Sequence, residues 1–277
     1  MKIIFSSNVH GQTGTTTNML AIAVMSDILY QRKSILLQTQ FCLNQLEVPL
    51  LPPSKRKEVN SYELGMDALL KGIQSGKSTK ELLKACCICI SENRMDFLPG
   101  TNARNREVYE EEIAKGLHEI LKLANEFYEY VFIDIGPVQN EFAQQVWKEA
   151  DLLVINLCQN IRVLDHFFSE YEQPKNIIYL LGYYDCHSTV NKKTLTRLYK
   201  SLKGENTFVI PYNTELRDSV SEAKLIQFFL QNMYCEPQDE NYYFVEEVKK
   251  VSGYIMNLEK MGNLEQTQKV LENPHSR

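Results

Sequence analysis

No stretch of the 277 residues approaches the roughly 18 uninterrupted apolar positions that a membrane-spanning helix needs, which excludes an α-helical span. The chain also lacks a surplus of positive charge: 30 Lys and Arg stand against 35 Asp and Glu, a formal net charge of -5. Nucleic-acid binding driven by overall charge is thereby excluded, although a local basic patch is not. The opening residues MKIIFSSNVHGQTG carry no long apolar run after the lysine and no small-residue cleavage site, so no secretory signal is expected. Paired cysteine motifs are absent too. The seven cysteines, at 42, 86, 87, 89, 158, 186 and 235, are odd in number and scattered, which reads as reduced thiols in a cytoplasmic protein. Cys86, Cys87 and Cys89 cluster without CxxC spacing and are expected to be small buried hydrophobes in an apolar strand; a metal site is the lesser reading.

What is present is a recurrence of short apolar runs alternating with helical patterns. Strands are expected at Lys2–Phe5, Ser34–Leu37, Met95–Leu98, Tyr130–Ile135, Asp151–Leu157, Asn176–Leu181 and Thr207–Ile210. Helices are expected from Thr17, with Met19, Leu20, Ala23, Val24, Ile28 and Leu29 on one face, and over Glu63–Ile73, Thr79–Cys87, Val108–Phe127 and Glu141–Glu149. Strands without polar alternation are buried on both faces, which predicts an α/β fold: a doubly wound, mostly parallel sheet with helices on both sides. No repeat or low-complexity linker interrupts the pattern, so residues 1–277 read as a single domain. Glu47–Asn60 and Glu236–Asn241 read as surface excursions. Near the C-terminus, Val245, Val248, Val251, Ile255 and Leu258 recur at helical spacing. Their polar face mixes Glu and Lys without a basic excess, so a final helix packed on the sheet is preferred to one lying on a membrane.

Between the first strand and the first helix lies His10-Gly11-Gln12-Thr13-Gly14-Thr15-Thr16-Thr17. That placement suits a phosphate-cradling loop: backbone N–H groups and a helix N-terminus form an anion site, and glycines allow close approach. Gly11, Gln12, Thr13, Gly14, Thr15, Thr16 and Thr17 are therefore the candidate binding residues. A hydroxyl at the helix start can ligate Mg²⁺. The bland alternative is that Thr15–Thr17 simply cap the helix.

The loop resembles the deviant Walker A motif of the MinD/ParA family, KGGxGKTT. Gly11, Gly14, Thr16 and Thr17 match it; His10 and Thr15 stand where that motif has its two lysines. Tyr128-Glu-Tyr-Val-Phe-Ile-Asp134-Ile-Gly-Pro137 resembles the family's YDYIIIDTPP, whose aspartate holds Mg²⁺ through water. Lys148 to Ile155, Phe208-Val-Ile-Pro211-Tyr and Val220-Ser-Glu-Ala-Lys resemble later family segments. The resemblance implies the P-loop NTPase fold of MinD/ParA type, ATP as ligand, and Mg²⁺ held by Thr16 and Asp134. Asp134 as a solvated strand-end residue is the bland reading beside it.

The departures also have consequences. Gln38-Thr39-Gln40 stands where the family carries a DxD pair with the switch acid, and Gly182 stands where an asparagine reads adenine. Without the second lysine a charge-assisted phosphate contact of about 1.5–3 kcal/mol is lost. One branch lacking that lysine, the CpaE/TadZ type, localises and assembles Tad pili and related secretion machines, and GQTGTTT is most similar to it. The resemblance thus implies a cytoplasmic, dimeric positioning or scaffold protein with pilus or secretion assembly proteins as partners. It leaves room for peripheral membrane association, while the acidic balance and the lack of a basic late helix argue against nucleic acid as a partner without excluding it. Weak ATP binding with little or no hydrolysis is expected. Two other readings stay open: an active partitioning or division ATPase using His10 or a partner residue, and a nucleotide-free interaction module.

Overall fold

A computed structural model describes residues 1–41, 46–59, 64–92, 94–138 and 141–272. Eight strands form one sheet: β1 Lys2–Ser7, β2 Ser34–Gln38, β3 Ile88–Ser91, β4 Met95–Phe97, β5 Tyr130–Pro137, β6 Leu152–Leu157, β7 Ile177–Tyr184 and β8 Thr207–Pro211. Their order is β3-β4-β2-β5-β1-β6-β7-β8, with every pair parallel except β3–β4. The doubly wound α/β architecture expected from the buried runs is thus present, with one antiparallel edge strand. The helices are α1 Thr15–Tyr30, α2 Glu47–Leu50, α3 Pro53–Val59, α4 Gly65–Gln74, α5 Lys80–Cys86, α6 Arg106–Phe127, α7 Glu141–Lys148, α8 Ile161–Glu170, α9 Lys192–Leu198, α10 Thr214–Ser221, α11 Leu225–Asn232 and α12 Tyr242–Glu272.

Strand alternation divides the core into two layers. Ile3 and Phe5 of β1 face α1, α11 and α12, whereas Ile4 joins the layer built with α4 and α6. β5 behaves alike, sending Tyr130 and Phe132 one way and Val131, Ile133 and Ile135 the other. Apolar side chains on both faces explain why these strands read as unbroken hydrophobic runs.

Helix α1 departs from the expected one-sided pattern. Every residue from Asn18 to Asp27 is buried, because α12 covers the face turned away from the sheet. The Ser252 hydroxyl of α12 donates to the Ile22 carbonyl at 3.3 Å. Val245, Val248, Val251 and Ile255 are fully buried in that layer, so the apolar face of α12 packs on the core, as the mixed charge of its polar face suggested.

Other expectations are corrected. Glu47–Asn60 is no surface excursion over its first turns: Glu47, Pro49, Leu50 and Leu51 are buried, since α2 packs its apolar residues against α10 and α11. Asn60 lies outside the described residues, as do Glu63 and Cys42. The cysteine cluster does not share one buried strand. Cys86 closes α5 and is buried, Cys87 is partly buried, and Cys89 is exposed on the edge strand β3, where one face meets solvent. Among the described residues no helix is long and apolar enough to cross a membrane.

Candidate phosphate-binding site

Strand β1 lies at the sheet centre, between β5 and β6, where successive connections leave in opposite directions. In open α/β sheets a ligand crevice forms at this switch point, beyond the carboxyl ends of the strands. The loop that follows β1 occupies it. Gly11 and Gly14 adopt left-handed backbone conformations, φ 74° and 67°, which glycine enters without a Cβ penalty. Gly14 is the N-cap of α1, and no side chain caps it. The threonines therefore do not cap the helix, contrary to the bland reading. The Thr15 hydroxyl instead lies 3.0 Å from that of Thr13, and the first turn of α1 has no side-chain cap.

A cavity of about 130 Å³ opens here, lined by loop residues together with Gln40, Gly136, Pro137 and Tyr183. Gly11, Thr13, Gly14, Thr15, Thr16 and Thr17 all line it, while Gln12 is exposed and does not. His10 lines it from the exposed side of the loop. Among the described residues, no lysine or arginine borders this cavity.

Asp134 is completely buried beneath the loop, so it is not a solvated strand-end residue. It is a register partner of both Phe5 and Gln38, which sets it between β1 and β2. The β1–β5 register shifts just beyond it, where Gly136 turns at φ 61°. Both carboxylate oxygens are engaged. Thr16 Oγ1 donates to one at 2.5 Å; Gln40 Nε2 and the Gly136 amide donate to the other at 3.0 and 2.9 Å. Burial pushes the carboxyl pKa above its ordinary value, and the three hydrogen bonds pull against that rise. Thr16 and Asp134 thus meet, as a hydroxyl–carboxylate pair that would share a divalent cation requires.

The residues that depart from the family pattern have separate physical roles. Gln40 is a ligand of Asp134 and borders the cavity. Gln38 is fully buried against Gly100, with neither amide atom hydrogen-bonded, and lies outside the cavity lining. At Gly182, a Cβ would lie 1.9 Å from the Thr13 carbonyl oxygen, so β7 and the loop approach too closely for any side chain. The absence of an asparagine there is a packing demand of this loop.

Three contributors were not singled out in the sequence. The Asn18 amide donates to the Thr13 carbonyl and to Asn156 Oδ1, tying loop, α1 and β6 together at 3.2 and 2.8 Å. Asn156 in turn donates to the Ser6 carbonyl. Tyr183 has a left-handed backbone, φ 47°, and its ring covers Gly14. It separates the phosphate-loop cavity from an adjoining apolar pocket lined by Ile210, Pro211, Tyr212, Leu216, Arg217 and Phe244, among others. Asn18 and Asn156 look in sequence like ordinary polar interruptions. Only the strand-end position of Tyr183 hinted at a site.

No protein-family model and no curated protein matches this sequence. Solved structures do match its shape. A ParA family ATPase from Chlorobium tepidum superposes with a TM-score of 0.68 at 16% identity, over 91% of this chain and 98% of that one. The septum site-determining protein MinD of Pyrococcus horikoshii, solved with Mg-ADP, gives 0.64 at 15% over 94% and 98%. A chain of the MinC:MinD cell division protein complex of Aquifex aeolicus gives 0.63 at 16% over 93% and 96%. The chain therefore has the α/β fold of the MinD/ParA ATPases, with a glycine-containing loop at the position where a P-loop lies. At these identities the likeness is one of fold.

Proposed function

We propose that this protein is a nucleotide-dependent positioning or scaffold protein whose site holds ATP weakly and hydrolyses it poorly or not at all. The observation that carries the reading is a glycine loop, with Gly11 and Gly14 in left-handed conformations, around a cavity that no lysine or arginine borders among the described residues. Backbone amides and the uncapped start of α1 supply the anion recognition, and a helix terminus of this kind contributes about 0.3–1 kcal/mol. Thr16 and Asp134 would hold Mg²⁺, which would neutralise phosphate charge. The apolar pocket beyond Tyr183, with Arg217 over the Tyr212 ring, is of a kind to take a base. The phosphate arm would then rest on Gly14 and Thr15.

Phosphoryl transfer depends on stabilising developing charge, and among the described residues no lysine or arginine lines the cavity to do so. Gln40, hydrogen-bonded to Asp134, offers no carboxylate to orient water. The retained framework with relaxed chemistry fits a role in assembly, and the loop's similarity to the CpaE/TadZ type points to pilus or secretion machinery as the partner. In this reading two copies pair across the loop face, where Tyr183 and Tyr212 are exposed.

Calorimetric titration with ATP and Mg²⁺ beside a phosphate-release assay tests the proposal. Binding without turnover supports it; turnover well above background favours an active ATPase, and no heat at millimolar ATP favours a nucleotide-free module. Thr15→Lys is expected to tighten ATP binding by roughly 10- to 100-fold, the equivalent of one charge-assisted contact. Unchanged affinity would mean that the loop does not receive phosphate.

A further inference from the structure

We propose a second site, unrelated to the phosphate loop, in which Asp185, Cys186 and His187 bind a zinc-like divalent metal ion. One carboxylate oxygen, the thiol sulfur and one imidazole nitrogen all lie within 4.8 Å of one another. All three residues are exposed, so an ion reaches them from solvent. Among the described residues no other trio of His, Cys, Asp and Glu brings its donor atoms this close.

The turn that presents them is held rather than free. The Asp185 amide donates to Gln159 Oε1 at 2.7 Å, and Gln159 Nε2 donates back to the Asp185 and Val190 carbonyls at 2.9 and 2.8 Å. Asp185 Oδ1 accepts from the His187 amide at 2.8 Å, which orients the carboxylate over the turn and leaves its other oxygen for a ligand. The Ser188 amide closes the turn on the Asp185 carbonyl at 3.3 Å.

Donor chemistry selects the ion. Thiolate, imidazole and carboxylate together suit Zn²⁺ and disfavour Mg²⁺ and Ca²⁺, which prefer oxygen alone. Tetrahedral zinc with bonds of about 2.0–2.3 Å separates its ligand atoms by roughly 3.5 Å, so exposed side chains need to close by only about 1 Å. Three protein ligands leave the fourth position to water. On binding, the Cys186 thiol loses its proton to solvent and His187 coordinates as neutral imidazole.

Cobalt(II) is the probe: the reduced, chelator-treated full chain is titrated with it, then with Zn²⁺ as competitor. A thiolate-to-cobalt absorption band saturating at one equivalent and displaced by one equivalent of Zn²⁺ is expected. Cys186→Ser should remove the band, Cys89→Ser should leave it unchanged, and His187→Asn should weaken cobalt affinity at least tenfold. Gln159→Ala, which releases the turn but no ligand, should keep the band with affinity reduced about 10- to 100-fold. All of these side chains lie at or near the surface, so far-ultraviolet circular dichroism should confirm that each variant stays folded. No band with folded protein, or a band that survives Cys186→Ser, overturns the proposal. Neither result bears on ATP binding.

Discussion

Asp134 carries a stability cost that an isosteric amide would relieve. Its folded pKa is raised by burial, so its contribution to stability is fully present below the ordinary value of 3.8 and is lost as pH rises through the raised value. Ionising the carboxyl in this buried site therefore costs folding free energy. Asp134→Asn keeps Oδ1 as acceptor for Gln40 and Gly136, and its new amide can donate to the Thr16 oxygen. The variant is therefore expected to melt above the wild type at pH 7, with the gap closing as pH falls toward 3.8; calorimetry across that range would show it. A wild type that instead gains stability with rising pH in that window would contradict the argument. Gly182→Asn makes the opposite point. Restoring the asparagine of the family pattern places a side chain 1.9 Å from the Thr13 carbonyl, at a cost of about 1–3 kcal/mol in denaturant unfolding and with no gain in ATP binding. The departure at Gly182 was visible in sequence; its cause, a contact across 169 residues of chain from Thr13, was not.

At the scale of elements, periodicity located most strands and several helices because it records burial. β1, β5 and β6 are apolar on consecutive residues, and each is covered on both faces. Helix α1 shows where the pattern misleads: its one-sided face became an all-round burial once α12 lay across it. Short helices such as α10 and α11 carry too few turns for a clear period, and α2 is anchored by only a handful of apolar residues. The apolar face of α12 is spent on the core, so Ile255→Ala is expected to cost about 2–5 kcal/mol in chemical unfolding. A loss under 0.5 kcal/mol would mean that this helix is docked only loosely, leaving its face free for a membrane.

For the whole molecule, the acidic balance makes a direct prediction. With 35 acidic against 30 basic side chains, sequence-independent DNA binding is expected to be undetectable by mobility shift at about 0.15 M salt, with or without ATP. A shifted complex whose affinity falls steeply with salt would reveal a local basic surface and revive the partitioning alternative. Sequence alone determined the alternation of strand and helix, the glycine loop after the first strand, and the missing lysines, since these depend on residue type and short spacing. Only the tertiary structure decided that Asp134 is buried under Thr16, that Gln38 belongs to the core while Gln40 belongs to the site, and that Asp185, Cys186 and His187 converge on a turn pinned by Gln159. Each of those depends on residues brought together from distant strands, or on a turn fixed by a distant side chain. Short-range spacing carries no record of such contacts.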